Sequence, residues 1–154
     1  MNAAEVLCYL TDKQVDSLFK LARKFPQDKL DWKPDENTRS ALSQLQEVAT
    51  AITLFLPGIR ARKVVWDDGQ FAKWMEYRSK ITSVDELERL CQEGTKELTD
   101  LIRSTPEADL DVVVEMPFPG EFKVVDLYSY HLWNMSYHEG QINFLSFMLE
   151  APKA

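Results

Sequence analysis

A chain of 154 residues, 45% of them hydrophobic and with only 5 glycines and 7 prolines, is long enough for one well-filled core and too ordered in composition for a repeat or a disordered protein. Its net charge of −7 repels a phosphate backbone, so no nucleic-acid partner is expected, and the basic island RARK, Arg60 to Lys63, is too small to reverse that. MNAAEVLCYL lacks the basic start of a signal peptide, and the longest apolar run, Val48 to Leu56, is too short to span a bilayer, so a soluble, cytoplasmic domain over residues 1–154 with no membrane partner is expected.

In chain order, the first predicted helix runs from about Ala3 to Lys24, with Leu7, Leu10, Leu18 and Leu21 on a broad apolar side and Pro26 as its stop. A loop containing DWKPDEN leads to a second helix from about Thr38 to Phe55, ended by Pro57-Gly58. A short helix is expected at Gln70 to Arg78. The third long helix begins at Ser83, which with Glu86 forms an S-x-x-E capping box, and ends near Ser104. DVVVEMPFPGEFKVV then alternates and turns at Pro119-Gly120, as a small β-hairpin would, before a fourth long helix from about Lys123 to Leu149. The predicted fold is all-α, a four-helix bundle. Its connections are longer than antiparallel neighbours need, which leaves topologies other than up-down-up-down open.

On the fourth helix His131, Asn134, His138 and Gln141 follow at steps of three, four and three, which puts a polar line on one side. Asn134 and His138 are about 6 Å apart along the axis and can converge on one ion, whereas His131 and His138, about 10.5 Å apart, cannot easily do so. Gly140 costs roughly 1 kcal/mol in a helix interior. Close approach of a neighbouring helix or ligand would explain it as well as a simple packing concession does. Cys8 and Cys91, with no metal-ligand spacing around either, read as buried, reduced thiols. The aromatic set Trp66, Phe71, Trp74 and Tyr77 reads as core packing before pocket lining.

The segment His138-x-Gly140-Gln141-Ile142 in the last helix, with RSALSQLQEVA opening the second helix after the DWKPDENT loop, resembles the DinB/YfiT-like superfamily. The resemblance covers nearly the whole chain. It implies a four-helix bundle that holds a divalent ion, nickel or zinc, through one histidine on the second helix and an H-x-x-x-H pair on the last, with some members acting on small thiols as transferases or isomerases. Carried over by position, the ligands fall on Glu47, Asn134 and His138, so one imidazole remains of three. A carboxylate, an amide and an imidazole form a harder and weaker set than three histidines.

Two readings stand beside the metal site. Without an ion, Glu47 would accept a charge-assisted hydrogen bond from His138, with Asn134 and Gln141 completing a buried polar network. The function implied is then that of a thiol-dependent metalloenzyme on a small molecule, a metal-free binder of a small molecule in the same cavity, or an interaction protein. A homodimer is the expected assembly.

Overall fold

The computed structural model describes residues 1–150. Five α-helices account for most of them: α1 (Ala3–Lys24), α2 (Ala41–Ala61), α3 (Asp68–Ser79), α4 (Val84–Ser104) and α5 (Val124–Glu150). A two-stranded antiparallel ribbon, β1 (Val113–Val114) with β2 (Phe122–Lys123), leads into α5. The four long helices form a bundle, and α3 is the short helix expected in the middle connection.

Local chemistry sets most boundaries. Asn2 and Glu5 form a full capping box on α1, with each side chain bonded to the other's backbone N–H at 2.9 Å. Ser83 caps α4 as expected, but Glu86 does not reach back to close the box. Its carboxylate instead takes two hydrogen bonds from Arg89, one turn on. Asp67 caps α3 through the Gln70 N–H.

One expected boundary is wrong for a tertiary reason. Helix α2 does not stop at Pro57-Gly58 but continues one turn to Ala61, because Leu56 and Ile59 are both buried in the core. Proline removes one helical hydrogen bond, and burial of two large aliphatic side chains, about 1.5–3 kcal/mol each, outweighs part of that loss. Gly58 then permits the exit: a Cβ there would lie 3.0 Å from Lys63 O and from Val64 Cα. Arg62 closes the helix in the left-handed conformation, φ 57°. Lys63 and Glu115 go on to bridge the exit strand to the ribbon.

Helix directions explain the long connections. Cys8 Sγ reaches Thr99 O at 3.7 Å while Arg23, at the other end of α1, pairs with Asp85 and Glu88, so α1 and α4 are antiparallel. Gln46 bonds Ile81 O just ahead of α4, and Ile52 faces Gly94, so α2 and α4 run in the same direction. Glu47 meets His138 and Phe55 meets Tyr130, so α2 and α5 are antiparallel. The contacts run α1–α4–α2–α5 around the bundle, with α1 diagonal to α2 and α4 diagonal to α5. Between the parallel neighbours α2 and α4 the chain must travel back along a bundle of about 30 Å, which is why that link is long enough to hold α3.

The core has two apolar clusters. One joins Leu18, Phe19, Leu45, Leu87 and Ile142, and the other joins Leu56, Leu98, Ile102, Val124 and Tyr128. Gly94 is a close approach of α4 to α2: a Cβ there would run into Ile52 Cγ2. Gly140 is the opposite case, with nothing among the described residues within 4 Å of a Cβ.

Cys8 and Cys91 are buried and free, as expected. Burial pushes the Cys91 thiol up to about 12, against a smaller opposing effect of its hydrogen bond with Thr95. Among the described residues no helix is long and apolar enough to cross a membrane.

Candidate functional site

The polar line on α5 points inward, and His131, Asn134 and His138 are all buried. The two histidines serve separate networks. His131 Nε2 lies 2.9 Å from Thr95 Oγ1, and burial pushes the ring down to about 4, so it is neutral near neutrality.

His138 Nε2 lies 3.1 Å from Glu47 Oε1. On the other side of the ring, Nδ1 faces Gln44 Oε1 at 2.9 Å and Gln141 Oε1 at 3.2 Å. The Gln44 amide is oriented by its own Nε2, which donates to Arg39 O at 3.4 Å. Both ring nitrogens are therefore held by hydrogen bonds, which fixes the plane of the ring.

Glu47 is the hub. Its Oε2 takes Arg39 at 2.8 Å and Arg78 at 3.4 Å. Arg78 is itself buried, with its guanidinium over the Trp74 ring at 4.3 Å. Burial works to raise the Glu47 carboxyl, but the hydrogen bond from His138 and the nearby Arg39 charge overcome it and hold the group down to about 2.

The charges already in place oppose a divalent cation here. The Glu47 carboxylate is already flanked by the guanidinium charges of Arg39 and Arg78, which repel a second cation. Asn134 joins neither Glu47 nor His138 by a hydrogen bond. No cluster of three or more His, Cys, Asp or Glu side chains suited to a metal occurs among the described residues.

Asn134 has a different setting. The residue is 2% exposed, and Nδ2 has no hydrogen-bond partner among the described residues. Such a group is costly to leave unpaired, by about 1–3 kcal/mol. It lies on the wall of a cavity of about 480 Å³ between α2, α3, α5 and the ribbon, together with Glu47 and His131. The rest of the wall is largely apolar and aromatic. Trp66 stacks on Phe55 at 5.2 Å and meets Phe71 at 5.4 Å and Trp74 at 6.1 Å. Trp74 is fixed by its indole N–H, which donates to Thr50 Oγ1 at 2.8 Å.

The aromatic set in the middle connection is thus not ordinary core. Trp66, Phe71 and Trp74 face the cavity, while Tyr77 is exposed. Sequence reading placed Glu47, Asn134 and His138 in one bundle interior but missed Gln44, Arg39 and Arg78. Gln44 stands one helical turn before Glu47 and could have been found from that spacing. Arg78 could not, since it lies 31 positions from Glu47 and reaches it only through the placement of α3.

Comparison with known proteins agrees with this architecture. A family model for the DinB superfamily matches residues 10–142. YfiT from Bacillus subtilis superposes with a TM-score of 0.82 at 12% identity, over 99% of this chain and 91% of that one, and is described as a probable metal-dependent hydrolase with an unusual four-helix bundle topology. The DinB-like protein YjoA, also from Bacillus subtilis, gives 0.64 at 17% identity over 96% and 94%. The colibactin self-resistance protein ClbS, solved with double-stranded DNA, gives 0.67 at 15% identity over 92% and 94%. The fold as such therefore does not exclude nucleic acid, and the expectation of none rests on this chain's charge alone. A search of curated proteins gives no match.

Proposed function

The chain belongs to the DinB superfamily, and from that premise we propose that it binds a small molecule in the cavity between α2, α3 and α5 through an organic polar site in place of a metal centre. The observation that carries this reading is the unpartnered, buried amide of Asn134 in the wall of an aromatic-rich cavity. A volume of about 480 Å³ suits a compact, drug-sized molecule.

The chemistry of the wall narrows the class. Flat aromatic faces favour a ring. Asn134 needs a partner for its N–H, and Glu47 presents a carboxylate that accepts. The Glu47 charge is already balanced by Arg39 and Arg78, the Asp126 carboxylate, also on the wall, accepts from the Lys123 backbone N–H, and His131 is neutral, so a neutral ligand suits this wall. A neutral ring carrying adjacent C=O and N–H groups, an aromatic amide or lactam, matches these features.

The test is a titration with benzamide, nicotinamide and simple lactams, alongside their carboxylate and ammonium counterparts, followed by quenching of Trp66 and Trp74 fluorescence. Neutral amides should bind, and Asn134→Leu should weaken them by about tenfold or more, the equivalent of one hydrogen bond. Preference for a charged counterpart, or equal affinity in Asn134→Leu, would refute the assignment.

The likeness to YfiT, described as a probable metal-dependent hydrolase, supports a second reading in which a divalent ion sits on Glu47 and His138 with Asn134 in support; that the ion is nickel or zinc and the enzyme thiol-dependent follows the family resemblance alone. This reading requires Arg39 and Arg78 to release Glu47. Elemental analysis of untagged protein, with thermal melts in added nickel or zinc, separates the two. A full equivalent of metal that stabilises the fold would favour this reading over the first.

A further inference from the structure

Helix α5 is apolar on two faces. Its inner face carries Tyr128, Met135, Ile142 and Leu145 into the core. On the outer side, Tyr130, Trp133, Tyr137, Gly140, Phe144 and Phe147 follow at alternating steps of three and four. That spacing is the seven-residue seam of a helix that packs on another helix. The five aromatic members are 40–63% exposed, although a helix apolar on both sides is normally covered on both.

We propose that this outer seam of α5 is the contact surface for a second copy of the same chain, crossing antiparallel with the two-fold axis at Gly140. Three observations carry it, the first being the symmetry of the seam. In an antiparallel pair centred on residue 140, Tyr137 of one copy meets Phe144 of the other and Trp133 meets Phe147, and each contact occurs twice. An isologous interface needs this self-complementarity.

The second is Gly140 itself. Among the described residues nothing occupies the space of its Cβ, so their packing gives no reason for a mid-helix glycine. A partner helix crossing at that point supplies one, because two glycines facing each other let the aromatic residues on either side interlock.

The third is charge. A chain with a net charge of −7 repels its copy, so an interface must fall where charge is absent. Between Asp126 and Glu150 the only charged residue, histidines aside, is Glu139, and it is turned toward α1, bonded to Gln14 and Ser17. The seam's flanks, Ser136 and Asn143, are neutral.

The area is adequate. The exposed parts of the five aromatics and of Met148 amount to roughly 600 Å² per copy, and the flanking polar residues bring this close to the about 800 Å² per partner of a standard interface. Tyr137, Gly140 and Phe144 also line an open groove with Arg39, Gln44 and Gln141. A second copy seated on the seam would roof the network on the Nδ1 side of His138.

Light scattering on eluting protein at micromolar concentration should give twice 17.8 kDa for the native chain. Gly140→Glu should give the single-chain mass with unchanged helical circular dichroism, because the monomer has room for the side chain. Gly140→Cys should form an intermolecular disulfide under mild oxidation, whereas Glu121→Cys, at the exposed ribbon tip, should not. A monomeric native protein, a dimer that survives Gly140→Glu, or Gly140→Cys chains that do not cross-link would each overturn the proposal.

Discussion

Replacing Glu47 with alanine removes the one anion that three cationic or donor groups share. Arg39 at 2.8 Å, His138 at 3.1 Å and Arg78 at 3.4 Å all lose it, and two of them, His138 and Arg78, are buried. Breaking a buried pair from one side costs about 3–5 kcal/mol, because the survivor keeps its desolvation penalty. The Glu47 side chain is 21% exposed, which points to the lower end. The same contacts also make the group more acidic. A tenfold change in acidity is worth about 1.4 kcal/mol, so lowering the carboxyl from 4.5 to about 2 corresponds to about 3 kcal/mol of stability. The sign follows from the direction. A group held below its unfolded value contributes fully above about pH 4.5 and loses its contribution as the pH falls through about 2. Urea melts of native protein and Glu47→Ala should therefore differ by about 3 kcal/mol near pH 7, about 6–12 °C in Tm for a chain of this size. The difference should shrink steadily below about pH 4.5. A difference under about 0.5 kcal/mol near pH 7, or one that does not change with pH, would refute the shared-anion account of Glu47.

Other outcomes follow from single contacts. His131 is held down to about 4 by burial, below its unfolded value of 6.5, so the unfolded chain takes up a proton first as the pH falls. Stability should decline between about pH 6.5 and 4 for this reason, and His131→Gln should flatten that part of the profile, as urea melts across the range would record. Gly94→Ala should lose about 1–3 kcal/mol, since its Cβ would run into Ile52 Cγ2 in a packed helix crossing; an unchanged Tm would count against that crossing. Cys8 and Cys91 should react with a chromogenic disulfide reagent only after unfolding, with no fast phase in native protein.

Much of the fold was legible because helices announce themselves locally. The cap at Ser83, the prolines that end helices and the 3.6-residue periodicity lie within a few positions of what they control, so all four long helices, the short α3 and the ribbon could be placed from sequence. The miss at Pro57-Gly58 shows the limit. A local stop signal was overridden by burial of Leu56 and Ile59, which depends on what α4 and the ribbon bring against them.

For the site, sequence by itself determined that His131, Asn134 and His138 share one side of α5, since helical spacing dictates it, and family position pointed to Glu47 as the residue opposite. Tertiary structure decided what these residues do. Arg39 and Arg78 reach Glu47 from a loop and from α3, Gln44 turns its oxygen to His138, and Asn134 is left facing a cavity walled by the middle connection. Charge compensation and desolvation act over a few ångströms in space, between residues as much as 94 positions apart in the chain, so no local pattern could carry them.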